Sequence, residues 1–223
     1  MIKVKICGIQ NLADAQVAAE AGADFVGVVF VPERHRRIEP PVGREISRGV
    51  RAVTTAVKVV GLFADQPLDE LNRLVETCEL DVAQLCGTES VDYAAGVACP
   101  VIKVIHVSGT ATPGSDSNLG DRLQEFRDAG HLVTLDRLVE GVQGGTGRTF
   151  DWEVASSLSR RGHSFLLAGG LTPQNVGRAI GAVRPWGVDV SSGVETRGQK
   201  DHRKIRDFII NAQQTAATLA GSG

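Results

Sequence analysis

Short apolar runs alternate with longer stretches of helical spacing eight times from one end of the chain to the other. The runs fall at 3–6, 25–30, 56–63, 81–85, 101–104, 132–135, 165–168 and 188–190, and most are rich in Val, Ile or Leu. A run such as Val57-Lys58-Val59-Val60-Gly61-Leu62-Phe63 lacks the in-out alternation of a strand with one wet face. It reads instead as a strand covered on both sides, the condition of a parallel sheet wrapped by helices. Between the runs, the apolar spacing predicts helices at 12–21, 68–78, 151–160, 173–180 and 200–217. Asn11 and Thr172 stand where side-chain oxygens cap helix starts, and Pro173 suits a first helical turn.

Alternation alone fits either a closed barrel or an open doubly wound sheet. The loop contents separate them. No G-x-G-x-x-G follows the first run, which removes the usual mark of a dinucleotide-binding open sheet, while polar and Gly-rich segments follow nearly every strand. That distribution predicts an α/β fold of the (β/α)8 TIM-barrel type, with the active site at the C-terminal ends of the strands. A length of 223 residues suits one such domain spanning 1–223. The Ser, Thr, Gly and Asp-rich stretch 107–118 reads as a loop after the fifth strand.

Composition narrows the partners. With 42% hydrophobic and 22% charged residues the chain has the make-up of a folded globular protein, and a formal net charge of −2 argues against tracking a nucleic-acid backbone. An anionic ligand must then be held by local donors. The first residues run straight into a strand pattern with no export signal, so a cytoplasmic protein with no membrane partner is expected. The four cysteines, Cys7, Cys78, Cys86 and Cys99, show neither C-x-x-C pairing nor zinc-site spacing, and no metal is expected. Cys78 and Cys99 read as small apolar core residues.

Backbone N–H groups approach an anion most closely where side chains are missing, so glycine clusters at strand ends are phosphate signals. Three occur: Gln143-Gly144-Gly145-Thr146-Gly147, Ala168-Gly169-Gly170-Leu171 and Ser191-Ser192-Gly193. The last two follow strands seven and eight, the usual phosphate loops of a barrel. Gly145, Gly169, Gly170, Ser192 and Gly193 are therefore the candidate phosphate residues.

Cys7 closes the first strand in step with Lys5 and Lys3 and points with them to one face. A thiol there can act as a general base if cations or backbone donors bring its pKa down from about 8.5. Asp136 follows four mostly apolar positions of strand six, where a carboxyl can cap a turn or, with its pKa raised by the barrel wall, serve as an acid. Gln84 and Cys86 share parity at the end of strand four, and Asp189 lies inside strand eight, so each can line the pocket. The cluster Arg34-His35-Arg36-Arg37 is either a solvated loop or a carboxylate clamp, since a guanidinium fork matches two oxygens.

Taken together, these segments resemble the phosphoribosylanthranilate isomerase family over nearly the whole chain. Lys3-Val4-Lys5-Ile6-Cys7-Gly8-Ile9 is similar to its opening signature, Gly144-Gly145-Thr146-Gly147-Arg148-Thr149-Phe150-Asp151-Trp152 to its sixth-loop signature, and Ala168-Gly169-Gly170-Leu171-Thr172-Pro173-Gln174-Asn175-Val176 to its phosphate turn. Val188-Asp189-Val190-Ser191-Ser192-Gly193-Val194-Glu195 resembles its eighth-strand signature. The resemblance implies an Amadori rearrangement in tryptophan biosynthesis, an aminoaldose becoming an aminoketose phosphate without cofactor or metal. It implies Asp136 as general acid, Cys7 as general base and Arg36 on the anthranilate carboxylate, and Gln84 and Asp189, placed at the pocket by their strand positions, are expected beside the substrate. The implied partner is the small-molecule substrate alone, bound by a monomer or homodimer.

Two positions depart from the family pattern: Cys86 stands where the family has His, and Arg34 where it has Ser. Other readings stay open on these residues: a modified anthranilate as substrate, a silent sugar-phosphate-binding relative, or the analogous histidine-pathway isomerase. The last uses a carboxylate where this chain has Cys7.

Overall fold

A computed structural model describes residues 1–108, 117–138 and 152–221. Eight parallel strands close into a barrel in sequence order, β1 beside both β2 and β8. They are β1 (Lys3–Ile6), β2 (Phe25–Val29), β3 (Lys58–Phe63), β4 (Val82–Leu85), β5 (Val101–Ser108), β6 (Leu132–Leu138), β7 (Leu166–Leu167) and β8 (Gly187–Val190). The helices between and after them are α1 (Leu12–Glu20), α2 (Pro40–Val53), α3 (Leu68–Thr77), α4 (Val91–Ala95), α5 (Ser117–Asp128), α6 (Trp152–Arg160), α7 (Val176–Val183) and α8 (His202–Gly221). A small antiparallel pair, β9 (Glu195–Thr196) and β10 (Gln199–Lys200), sits between β8 and α8.

The strands are apolar on both faces because each face meets a different core. Val4, Ile6, Val26, Val28, Val59, Ala83, Leu85, Ile105 and Leu135 pack outward with residues of the helices. Phe25, Val29, Val60, Leu62, Val82, Ile102 and Leu166, from five strands and no helix, form a second cluster with Cys7 just past the end of β1, which is the barrel interior. The Phe25 and Trp186 rings, 6.3 Å apart, plug its N-terminal end. Burying one such side chain is worth roughly 1.5–3 kcal/mol.

Several expected boundaries move. Asn11 caps α1 as read from the sequence, its side chain accepting from the Asp14 N–H. The seventh helix, however, begins at Val176, not at Pro173, and Thr172 does not cap it. Residues 173–175 form a turn in which Asn175 Oδ1 accepts from the Thr172 N–H at 2.8 Å and Asn175 Nδ2 donates to the Gly170 carbonyl at 2.9 Å. The Asn175 side chain thus staples a turn that the Asn175 and Val176 N–H groups also close by donating to the Thr172 carbonyl. β5 runs four residues beyond the expected end and β6 three, because the two strands pair in register from Ile102 opposite Leu132 to Ser108 opposite Leu138. Most of the predicted loop at 107–118 lies outside the described residues.

Candidate active site

Alternation on each strand aims one set of side chains at the lumen, and the C-terminal ends set which of them reach the mouth. On β1 this set is Lys5 and then Cys7. Lys5 is fully buried and its Nζ donates to Asp189 Oδ2 at 2.8 Å, the pair standing directly opposite in the β1–β8 register. Burial alone would lower the lysine pKa, but the Asp189 charge and the neighbouring Cys7 outweigh it and hold Lys5 above its ordinary range. Lys5 is thus an ammonium inside the barrel.

Cys7 follows at the lip, 7% exposed, with its N–H donating to the Val190 carbonyl at 2.8 Å. Its thiol is pushed up, not down: burial dominates, and the nearby Lys5 and Lys200 ammonium groups only limit the rise. The cations anticipated from the sequence are present, but desolvation is the larger effect.

Gly8 turns the chain after Cys7 with φ +73°, and a Cβ there would sit 2.8 Å from Ser191 Oγ and collide with the Arg36 side chain. Arg36 therefore lies across the end of β1. It reaches there because the loop after β2 folds back, Arg37 bridging to Val29. Its guanidinium makes two bonds to Glu195, Nε to Oε1 at 2.7 Å and an Nη to Oε2 at 2.8 Å. Lys200 Nζ donates to the same Glu195 Oε1 at 2.7 Å and to the Ser191 carbonyl at 2.9 Å. The β9–β10 hairpin serves to bring Lys200 back over the barrel. Burial pushes the Glu195 carboxyl up, yet its hydrogen bonds to Arg36 and Lys200 more than offset this and keep it below the usual carboxylate range.

On the far side, Asp136 stands in register with His106 of β5, so the two side chains share the lumen face of neighbouring strands. A ring nitrogen of His106, Nε2, lies 3.3 Å from the Cys86 carbonyl oxygen. Gln84 is 4% exposed and its Nε2 donates to Cys86 Sγ at 3.5 Å, while burial pushes the Cys86 thiol up to about 12 and keeps it neutral. Gln84 Oε1 and Asp189 Oδ1 have no hydrogen-bond partner among the described residues. Two buried acceptors thus face the lumen unsatisfied, an arrangement that a hydroxylated ligand would relieve.

The glycine turns lie beside each other. Gly169 and Gly170 have φ of +90° and +68°, a conformation that side chains disfavour. Gly193 is packed so closely on the Leu171 carbonyl that no Cβ fits. The loops after β7 and β8 thereby meet with bare backbone. Gly145, the remaining phosphate candidate, lies outside the described residues.

The structure thus gathers Cys7, Arg36, Gln84, Asp136, Asp189, Gly169, Gly170, Ser192 and Gly193 around one end of the barrel. Sequence reasoning passed over Glu195, Lys200 and His106. Glu195 closed the eighth-strand signature without a role, and Lys200 gave no signal, because the hairpin that returns them to the mouth carries no periodicity. His106 was hidden by ending the fifth strand at 104.

Comparison with known proteins agrees with this arrangement. The model of the family described as "N-(5'phosphoribosyl)anthranilate (PRA) isomerase" matches residues 4–211. An N-(5'-phosphoribosyl)anthranilate isomerase of Geotalea daltonii is 43% identical over 220 residues, covering 98% of this chain and 100% of the relative. The crystal structure of phosphoribosyl anthranilate isomerase from Thermotoga maritima superposes with a TM-score of 0.83 at 37% identity, covering 96% of this chain and 100% of that one. A related structure, in complex with reduced 1-(o-carboxyphenylamino)-1-deoxyribulose 5-phosphate, superposes with a TM-score of 0.79 at 35% identity, covering 96% and 100%.

Proposed function

The chain belongs to the N-(5'-phosphoribosyl)anthranilate isomerase family of tryptophan biosynthesis, and from that premise we propose how its own residues divide the reaction. The observation that carries the proposal is the placement of Cys7 and Asp136 on the lumen faces of β1 and β6, at opposite sides of one barrel mouth. Asp136 gives a proton to the furanose ring oxygen. The ring C–O bond then breaks as the anthranilate nitrogen lone pair forms a Schiff base. Cys7, as thiolate, takes the proton from C2, and the electrons of that bond move through the Schiff base to nitrogen. The resulting enolamine tautomerises to the aminoketose.

The other residues bind and orient. Arg36 is assigned to the anthranilate carboxylate, where a planar fork meets two oxygens. The acceptors left open on Gln84 and Asp189 suit sugar hydroxyls. Gly169, Gly170, Ser192 and Gly193 offer backbone donors to the phosphate, supported by the left-handed turn and close loop contact already described. We assign the chain to the cytoplasm as one barrel domain acting as a monomer or homodimer. Among the described residues no helix is long and apolar enough to cross a membrane.

The test is turnover of substrate generated in situ, followed by its loss of fluorescence. The unaltered protein should isomerise it without added metal, and Cys7→Ala and Asp136→Asn should each lose about 10²–10⁴-fold in kcat. Near-normal turnover by either variant would remove that residue from its assigned step.

A further inference from the structure

We propose that Lys5 is a positioning residue for Cys7: its buried ammonium, tied to Asp189 and set on the same strand face as the sulfur, reduces the cost of ionising Cys7 to the thiolate base. The proposal rests on the reading of Cys7 as the base. Lys5 and Cys7 are two residues apart on one strand, so their side chains leave β1 on the same face, one layer above the other. Lys5 is among the largest fully buried side chains of the protein, and a buried ammonium requires partners. Asp189 Oδ2 is its hydrogen-bonded partner at 2.8 Å, and Cys7, itself nearly buried, leaves the same face of the chain two residues on. Lys5 is fully buried and Cys7 nearly so, which leaves the field of the ammonium at the sulfur little screened.

Among the described residues, charged and titratable groups surround the sulfur on several sides. They are Lys5 on its own strand, Asp189 on β8, Lys200 from the hairpin and Cys86 at the end of β4. Cys86 stays neutral. Lys200 shares its charge with Glu195, which Arg36 also holds. Asp189 opposes the thiolate. Lys5 is therefore the cation with the strongest lowering influence on Cys7. When Cys7 ionises, its proton leaves to solvent at the mouth, and Lys5 keeps its own proton while its hydrogen bonds shift toward the sulfur. Asp189 then plays a second part, keeping Lys5 charged when the thiol is neutral.

The experiment follows alkylation of Cys7 by iodoacetamide across pH, read on the Cys7 peptide by mass spectrometry because three other thiols are present. Lys5→Gln removes the charge but retains a donor for Asp189. Its Cys7 profile should move up by about one pH unit or more, making alkylation about tenfold slower at a fixed pH below the midpoint. Its kcat should fall in step with little change in KM, and Lys5→Arg should bring the profile back toward the parent. If Lys5→Gln does not fold, Lys5→Gln with Asp189→Asn leaves no buried ion unpaired, and because Asp189 opposes the thiolate its profile is compared with that of Asp189→Asn alone, above which it should lie. A parent-like Cys7 profile in folded Lys5→Gln, or a double-variant profile no higher than that of Asp189→Asn, overturns the proposal. Full turnover by Cys7→Ala would instead overturn the base assignment, a result the alkylation profile reads independently.

Discussion

Glu195 holds two cations at once, and that shared carboxylate explains how Arg36 and Lys200 can sit nearly buried beside each other at the rim of the barrel. With Gln at 195 the like charges lose their common counter-ion, and Arg36 loses the two bonds that fix its plane. Glu195→Gln should raise KM for substrate by about tenfold, since charged hydrogen bonds of this kind are worth roughly 1.5–3 kcal/mol, with a smaller change in kcat. Steady-state kinetics would check it, and an unchanged KM would show that Arg36 needs no such support. The same residue gives a pH signature. Its carboxyl is more acidic folded than unfolded, so it stabilises the fold above the ordinary carboxylate pKa, and this contribution disappears as pH falls through the lower folded value. Thermal melts of the parent should therefore drop more steeply in acid than those of Glu195→Gln. None of this was legible beforehand. The basic cluster after the second strand was visible and the family resemblance singled out Arg36 within it, but its partner lies 159 residues away, and only the closed barrel joins them.

At the scale of elements, the strands were readable because burial on two faces leaves an uninterrupted apolar run. Their ends were not. β5 and β6 extend through His106 and Asp136, polar residues that sit on paired strands and gain ladder bonds whatever their side chains. The start of α7 was misread for a related reason: Thr172-Pro173 has the local chemistry of a helix start, but Asn175 bonds backward to Thr172 and Gly170 and turns that segment into a clamp on the glycine turn. Asn175 is 9% exposed, so water cannot replace these bonds easily. Asn175→Ala should cost about 1–3 kcal/mol of stability and loosen the Gly169-Gly170 turn, raising KM several-fold while leaving the chemical step. Urea unfolding and kinetics together check this. A loss of kcat with unchanged KM would place Asn175 elsewhere in the mechanism.

Over the whole molecule, stability depends on two concentric cores that share the strands. The inner one is small and made from isolated side chains contributed by separate strands, which the ladder bonds hold at fixed separation. Leu166 belongs to it through β7, only two residues long. Leu166→Ala should leave a cavity that neighbouring strands cannot close and cost about 2–5 kcal/mol by urea unfolding. Ile210→Ala, at a site 48% exposed on α8, should stay within about 0.5 kcal/mol. Equal effects at the two sites would deny the inner core its separate role.

The amino-acid sequence by itself determined the repeating βα order, the glycine turns of the late loops, and the residue types that can move a proton or hold an anion. These follow from local physics: burial period, missing Cβ atoms and side-chain chemistry act over a few residues. Only the tertiary structure decided which charges meet. Closure of β8 onto β1 puts Asp189 on Lys5, and the return of the hairpin puts Lys200 and Glu195 beside Arg36 and Cys7. The balance of burial against charge that sets the Cys7 thiol is decided there too, because desolvation and Coulomb fields depend on distance in space and not on distance along the chain.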